Sequence, residues 1–124
     1  MKPPKSSDAY LFEMLESARI VRDYVDGLTF DDFWDRPQTR DAVAMRLIVI
    51  GEAAGKVDTA TEAAIPGVPF PKIRATRNRI VHDYGKVDFT IVWKITQEEI
   101  PSLVAVLEGY FTKNPPPPLP PNAG

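Results

Sequence analysis

The sequence predicts an all-α fold, a bundle of four main helices built as one domain. Apolar residues recur at three- and four-residue steps in several long segments. Nothing alternates with period two over a useful length, which removes the signature of a half-buried strand. Capping residues, prolines and glycines stand where helices of that length would start and stop. A chain of 124 residues, 44% hydrophobic and 26% charged, has the composition of one ordinary globular domain with a single core.

The elements follow in order. Ser and Asp capping candidates precede Leu11, Leu15, Ala18, Val21 or Arg22, and Val25, which predicts a helix over about 8–26 stopped at Gly27. In TFDDFW, Thr29 with Asp32 three residues on is a carboxylate form of the capping box and predicts a short helix or turn. From Thr39 the segment RDAVAMRLIVIGEAAGKV is apolar nearly all round, as in a helix covered by several neighbours, and Gly51 and Gly55 offer room for a close backbone. IPGVPFP reads as a loop, with Pro71 as first residue of a helix running through Tyr84 to Gly85. Asp88 caps a last helix, bent at Pro101, in which Phe89, Val92, Thr96, Ile100, Leu103, Leu107 and Phe111 keep helical spacing. The domain spans 1–113, and NPPPPLPPNAG over 114–124 is expected as a proline-rich disordered tail.

Composition excludes several functions. With no cysteine there is no disulfide framework or thiolate metal site, and a single histidine argues against a zinc or di-iron cage, so neither metal nor cofactor is expected. The longest apolar run, Ala42 to Ile50, is interrupted by Arg46 and is far short of the roughly 18–20 residues a membrane span requires. The N-terminus lacks the pattern of a signal peptide. A cytoplasmic protein without membrane contact is the expectation. Net charge is −2, yet Lys72, Arg74, Arg77, Arg79 and Lys86 face one acid, Asp83, within a single stretch. Any polyanion is handled there; the alternative is a solvated helix face.

The lone histidine, His82, lies in that stretch, in RNRIVHDYG. On a continuous helix at about 100° per residue, Arg77 falls among Ile73, Ile80, Val81 and Tyr84 on the apolar face. An arginine so placed must be paired or open to a cavity, because an unpaired buried charge costs several kcal/mol. Arg74, Asn78 and His82 then form a polar edge, while Arg79 and Asp83 point to solvent. That edge suits a groove between helices or between subunits. The plainer reading is a satisfied helix histidine beside solvated basic residues.

RNRIVHDY resembles the RxxxxHxY signature of the HepT-like branch of the HEPN superfamily, toxins of toxin–antitoxin pairs. GLTFDDF, TRDAVAMRLIVIGEAA, IPGVPFPKI and VDFTIVWKITQEEIPSL look like the same family in the same order, over roughly residues 8–112. The resemblance implies a HEPN-like up-and-down four-helix bundle acting as a homodimer, and a metal-independent endoribonuclease in a type VII system with a minimal nucleotidyltransferase antitoxin.

RNA cleavage without metal needs a base for the 2′-OH proton, a cation for the phosphate charge that builds up, and an acid for the departing 5′-oxygen. One histidine cannot easily serve both ends, whereas a twofold dimer through the motif helices supplies a second His82 and Arg77 to one cleft. On this reading His82 is base or acid, Arg77 stabilises the phosphorane-like state and Asn78 positions phosphate or histidine, with Arg74 beside them. Glu52, a charge on the buried helix, is a candidate partner for Arg77 or else simply exposed. Tyr84 suits a core tyrosine with a wet hydroxyl; in the family the matching tyrosine receives AMP from the antitoxin, which silences the toxin. Two other readings stay open: a HEPN dimer that binds a nucleotide or partner without cleavage, and a purely structural helical subunit.

Overall fold

Capping side chains set the register of the first helices in the computed structural model, which describes residues 5–115. Ser6 Oγ accepts from Ala9 N at 3.1 Å and opens α1, Ser7–Val25. A turn with Gly27 at φ +74° follows, conformational space open to glycine at little cost. In α2, Phe30–Trp34, the expected capping box is formed in both directions, Asp32 N to Thr29 Oγ1 at 3.1 Å and Thr29 N to Asp32 Oδ2 at 2.9 Å. Helix α3, Pro37–Ala54, starts earlier than the expected Thr39, because Pro37 occupies the first turn, where a missing N–H costs nothing.

Helix α3 is the hub: it packs on α1 and α2 and on every later helix of the motif side. After it come a short α4, Thr59–Ala63, which the weak pattern of that stretch concealed, and a loop from Ile65 to Pro69. Asp58 caps α4 through Thr61 N at 2.7 Å and takes a hydrogen bond from Ser7 Oγ at 2.8 Å, tying α4 to the start of α1.

The expected single helix from Pro71 to Tyr84 is two short helices, α5, Phe70–Arg74, and α6, Thr76–Ile80. At the break the Thr76 hydroxyl donates to Ile73 O at 2.6 Å, taking a carbonyl that a continuous helix would use in its own ladder. Helix α6 then stops at Ile80. Asp88 N donates to Ile80 O at 2.7 Å, while Val81 is extended (φ −101°, ψ 116°) and bridges Val87. A pair of β-branched residues around a glycine-containing turn outweighs one more helical turn.

The last helix is also divided, into α7, Phe89–Glu98, and α8, Ile100–Lys113, at Glu99 (φ −109°, ψ −39°). The expected bend is there: Pro101 has no N–H to donate and its ring disfavours helix before it. Leu11, Met14, Leu15, Leu47, Ile80 and Leu107 are fully buried and make the core that α1, α3, α6 and α8 share. Phe33 lies 5.1 Å from Trp93 and 6.5 Å from Phe89, ring to ring, and anchors the start of α7 just beyond Asp88. Among the described residues the architecture is all-α, with no helix long and apolar enough to cross a membrane. The proline-rich tail lies outside the described residues from 116 on.

Candidate active site

The break between α5 and α6 rests on a close approach to α3. A Cβ built on Gly51 would lie 2.9 Å from Ile73 O and 3.3 Å from Thr76 Cβ, so this glycine does what its spacing suggested and admits a backbone. Gly55 does not: the atoms near its missing Cβ belong to its own helix. The approach leaves a shallow groove of about 390 Å³ whose polar lining is Glu52, Arg74, Arg77 and Asn78. Four of the six candidate site residues are thus together.

Arg77 does not stand on the apolar face. It is exposed, and the buried positions are Ile73, Thr76 and Ile80. Counting Val81 and Tyr84 as helical had drawn the apparent centre of that face toward Arg77; the chain leaves the helix before both. The suggested Glu52–Arg77 pair is not formed, although the two share the groove.

Electrostatics then sort the basic run. Arg74 is paired with Glu62 of α4 at 2.9 and 3.3 Å. Arg79, expected in solvent, turns to Glu99 with two hydrogen bonds of 3.0 and 2.5 Å, and Lys72 Nζ is 3.6 Å from the same carboxylate. Burial pushes Glu99 up, but the Arg79 hydrogen bonds and the Arg79 and Lys72 charges prevail and hold its carboxyl below the ordinary range. The same hydrogen bonds raise the Arg79 guanidinium. Arg77, exposed in the groove, has no carboxylate partner among the described residues, so its charge is free for a phosphate.

His82 and Tyr84 lie outside this groove, on the turn that follows α6. His82 N donates to Lys86 O at 2.7 Å and Gly85 N to His82 O at 3.0 Å, closing a turn around residues 83–85. Tyr84 sits at its tip, fully exposed, with φ +59°. It is therefore no core tyrosine, and its hydroxyl meets solvent. The His82 ring is about half exposed; its Nε2 is 3.1 Å from Arg79 O and its Nδ1 3.8 Å from Asp88 Oδ2. In the sequence Asp88 stands out only as a helix cap. Its neighbour Val87 pairing back to Val81 was the missing signal that Asp88 returns to the histidine.

The arrangement offers an exposed cation beside a polar amide and, one turn of chain away, a proton-exchanging ring and a free phenol. Comparison with known proteins agrees with a nuclease family. "Putative RNase MJ1380" of Methanocaldococcus jannaschii is 30% identical over 100 residues, 81% of this chain and 92% of that protein. "Putative RNase TTE0752" of Caldanaerobacter subterraneus subsp. tengcongensis is 30% identical over 103 residues, covering 83% and 89%. "Probable ribonuclease HepT" of Thermococcus cleftensis is 29% identical over 109 residues, covering 88% and 96%. No solved structure matches. The model of the family "Ribonuclease HepT-like" matches residues 14–109, most of the HEPN-like helical bundle, and the chain belongs to that family.

Proposed function

We propose that this protein is the toxin of a type VII HEPN/nucleotidyltransferase pair, a metal-independent endoribonuclease that works as a homodimer in the cytoplasm. The observation that carries the reading is Arg77, an exposed guanidinium in a groove next to Asn78, without a carboxylate partner among the described residues. In cleavage the 2′-oxygen bonds to phosphorus as a base takes its proton, the bond from phosphorus to the 5′-oxygen breaks, and an acid protonates that oxygen. The products are a 2′,3′-cyclic phosphate and a 5′-hydroxyl. Arg77 matches the charge that grows on the phosphoryl oxygens and Asn78 holds the phosphate in register. His82 of one protomer takes the proton and His82 of the other gives one back, which is why a chain with one histidine acts as a pair.

Tyr84 supports the regulatory half. A nucleotidyltransferase antitoxin needs an accessible phenol, and this one stands at the tip of a turn closed by its own backbone bonds. Its oxygen attacks the α-phosphorus of ATP, pyrophosphate departs and the phenolic proton is released. The new phosphodiester then competes with RNA for Arg77 at the high effective concentration of a tethered group.

The test is RNA cleavage by purified protein in EDTA, with end-group mapping of products and mass determination in solution. A dimer leaving cyclic phosphate ends, and a His82→Ala protein that leaves RNA intact, are expected. A wild type inert in EDTA but active with magnesium rejects the metal-free mechanism. An inert wild type in both, still binding RNA through Arg77, leaves a dimer that binds without cutting.

A further inference from the structure

We propose that Asp88 is a positioning residue for His82, its carboxylate selecting the tautomer in which Nδ1 carries the proton and Nε2 is the basic nitrogen. The proposal deepens the ribonuclease reading and rests on it for the chemical step.

Three hydrogen bonds fix Asp88. Its N–H donates to Ile80 O at 2.7 Å, and its Oδ1 accepts from Thr90 N and Ile91 N, each at 3.1 Å. These bonds tie the end of α6 to the start of α7 and occupy one carboxylate oxygen. The other, Oδ2, takes no part in the cap and lies 3.8 Å from His82 Nδ1. On the far side of the ring, Nε2 lies 3.1 Å from Arg79 O. The imidazole therefore stands between two acceptors, and a neutral ring has one proton to give. A proton on Nε2 points the ring at a backbone carbonyl and leaves the Nδ1 lone pair against a carboxylate. A proton on Nδ1 meets the carboxylate in a charge-assisted bond, roughly twice as strong as a neutral one. As it stands only Nε2 is within hydrogen-bond reach, its proton on Arg79 O at 3.1 Å; the Nδ1–H tautomer requires a ring rotation that closes the 3.8 Å gap to Asp88 by about 1 Å and gives up that bond.

Released, Nε2 is the nitrogen able to face RNA: it takes the 2′-OH proton as the new oxygen–phosphorus bond forms. The imidazolium that results keeps Nδ1–H on Asp88, whose charge stabilises it. The partner of one ring nitrogen commonly fixes what the other can do. Because the cap already anchors Asp88, the carboxylate needs no further ordering before the reaction.

His82 is the only histidine in the chain, so its two ring nitrogens give the only imidazole signals in a ¹⁵N spectrum. Two variants keep the cap, since Asn and Ser are as good at that position as Asp. Asp88→Asn places an amide where Oδ2 was, a donor that favours the wrong tautomer; Asp88→Ser removes the contact. The full-length protein is compared with both, with the ring neutral, by ¹⁵N shifts and long-range couplings. In parallel, kcat and KM are measured on a single-stranded RNA and unfolding midpoints by urea. Expected are a populated Nδ1–H tautomer in the wild type, its loss in both variants, kcat lower by about 10²-fold or more with KM within about threefold, and unchanged midpoints. The same tautomer in all three proteins overturns the proposal, as does a tautomer change that leaves kcat intact. A wild type that cleaves no RNA refutes the ribonuclease reading, and the ¹⁵N comparison still decides whether Asp88 governs the ring.

Discussion

Gly51 of α3 and Ile73 of α5 are so close that a single methyl group on the glycine would stand 2.9 Å from the isoleucine carbonyl oxygen. The motif segment can sit on the bundle only because that methyl is absent. Gly→Ala inside a helix ordinarily gains about 0.8–1.0 kcal/mol, whereas overpacking a tight contact costs about 1–3 kcal/mol. Here the obstacle is backbone, which cannot swing aside, so Gly51→Ala is expected to lower stability in urea unfolding and to weaken any activity that depends on Arg77. Gly109 is the control: nothing lies within 4 Å of its missing Cβ, and Gly109→Ala in α8 should raise the midpoint.

The Arg79–Glu99 pair changes what a substitution at Arg79 does. Read as a solvent residue it would be dispensable, but it holds the motif turn to the break between α7 and α8. Arg79→Ala is expected to cost on the order of 1–2 kcal/mol, discounted for its partial exposure, with an accompanying loss of activity. Glu99 titrates below its unfolded value of about 4.3, so its contribution is present above that pH and is lost as pH falls through the lower folded value. Glu99→Gln should flatten the acid limb of stability against pH, and an unchanged limb would count against the pair.

Toward the other end of α8 Tyr110 donates to Asp8 at 2.6 Å, joining α8 to the start of α1. That bond, then burial and the Asp8 charge, push the phenol up to about 12. A folded value above the unfolded one of about 10 stabilises the protein fully below pH 10, and the gain vanishes as pH rises toward 12. The difference in urea midpoint between wild type and Tyr110→Phe should be constant to about pH 9.5 and shrink above it.

If Tyr84 is the acceptor proposed above, Tyr84→Phe should fold as the wild type does, keep whatever nuclease activity the wild type has and escape modification. Intact mass after incubation with a candidate nucleotidyltransferase, ATP and magnesium reads this directly. A mass gain in the Phe variant, mapped to Tyr10, Tyr24 or Tyr110, would identify another acceptor.

Local signals in the sequence carried well where one residue decides one bond. Thr29 with Asp32, Gly27, the bend at Pro101 and the cap at Asp88 all stand as read. The motif segment did not, because its shape depends on contacts distant in sequence. Periodicity over 71–84 is helical, and only the meeting of Thr76 with Ile73, Val81 with Val87 and Asp88 with Ile80 breaks it into two short helices and a turn. The site residues were named from their chemistry, and Arg77 with Asn78 do share a groove with Glu52 and Arg74. The helical wheel placed His82 on the same edge, while the turn carries it to Asp88.

Tyr84 is the one residue other than glycine with positive φ among those described, and its side chain is bare to solvent. A left-handed conformation costs an ordinary residue about 1 kcal/mol or more, and no packing at this position offsets it. Glycine or asparagine would hold the same turn with less strain. Laboratory evolution for heat resistance, carried out without an antitoxin present, should therefore drift to Gly or Asn at position 84. Under the regulation proposed above, the hardier descendants would be the ones that no partner can restrain.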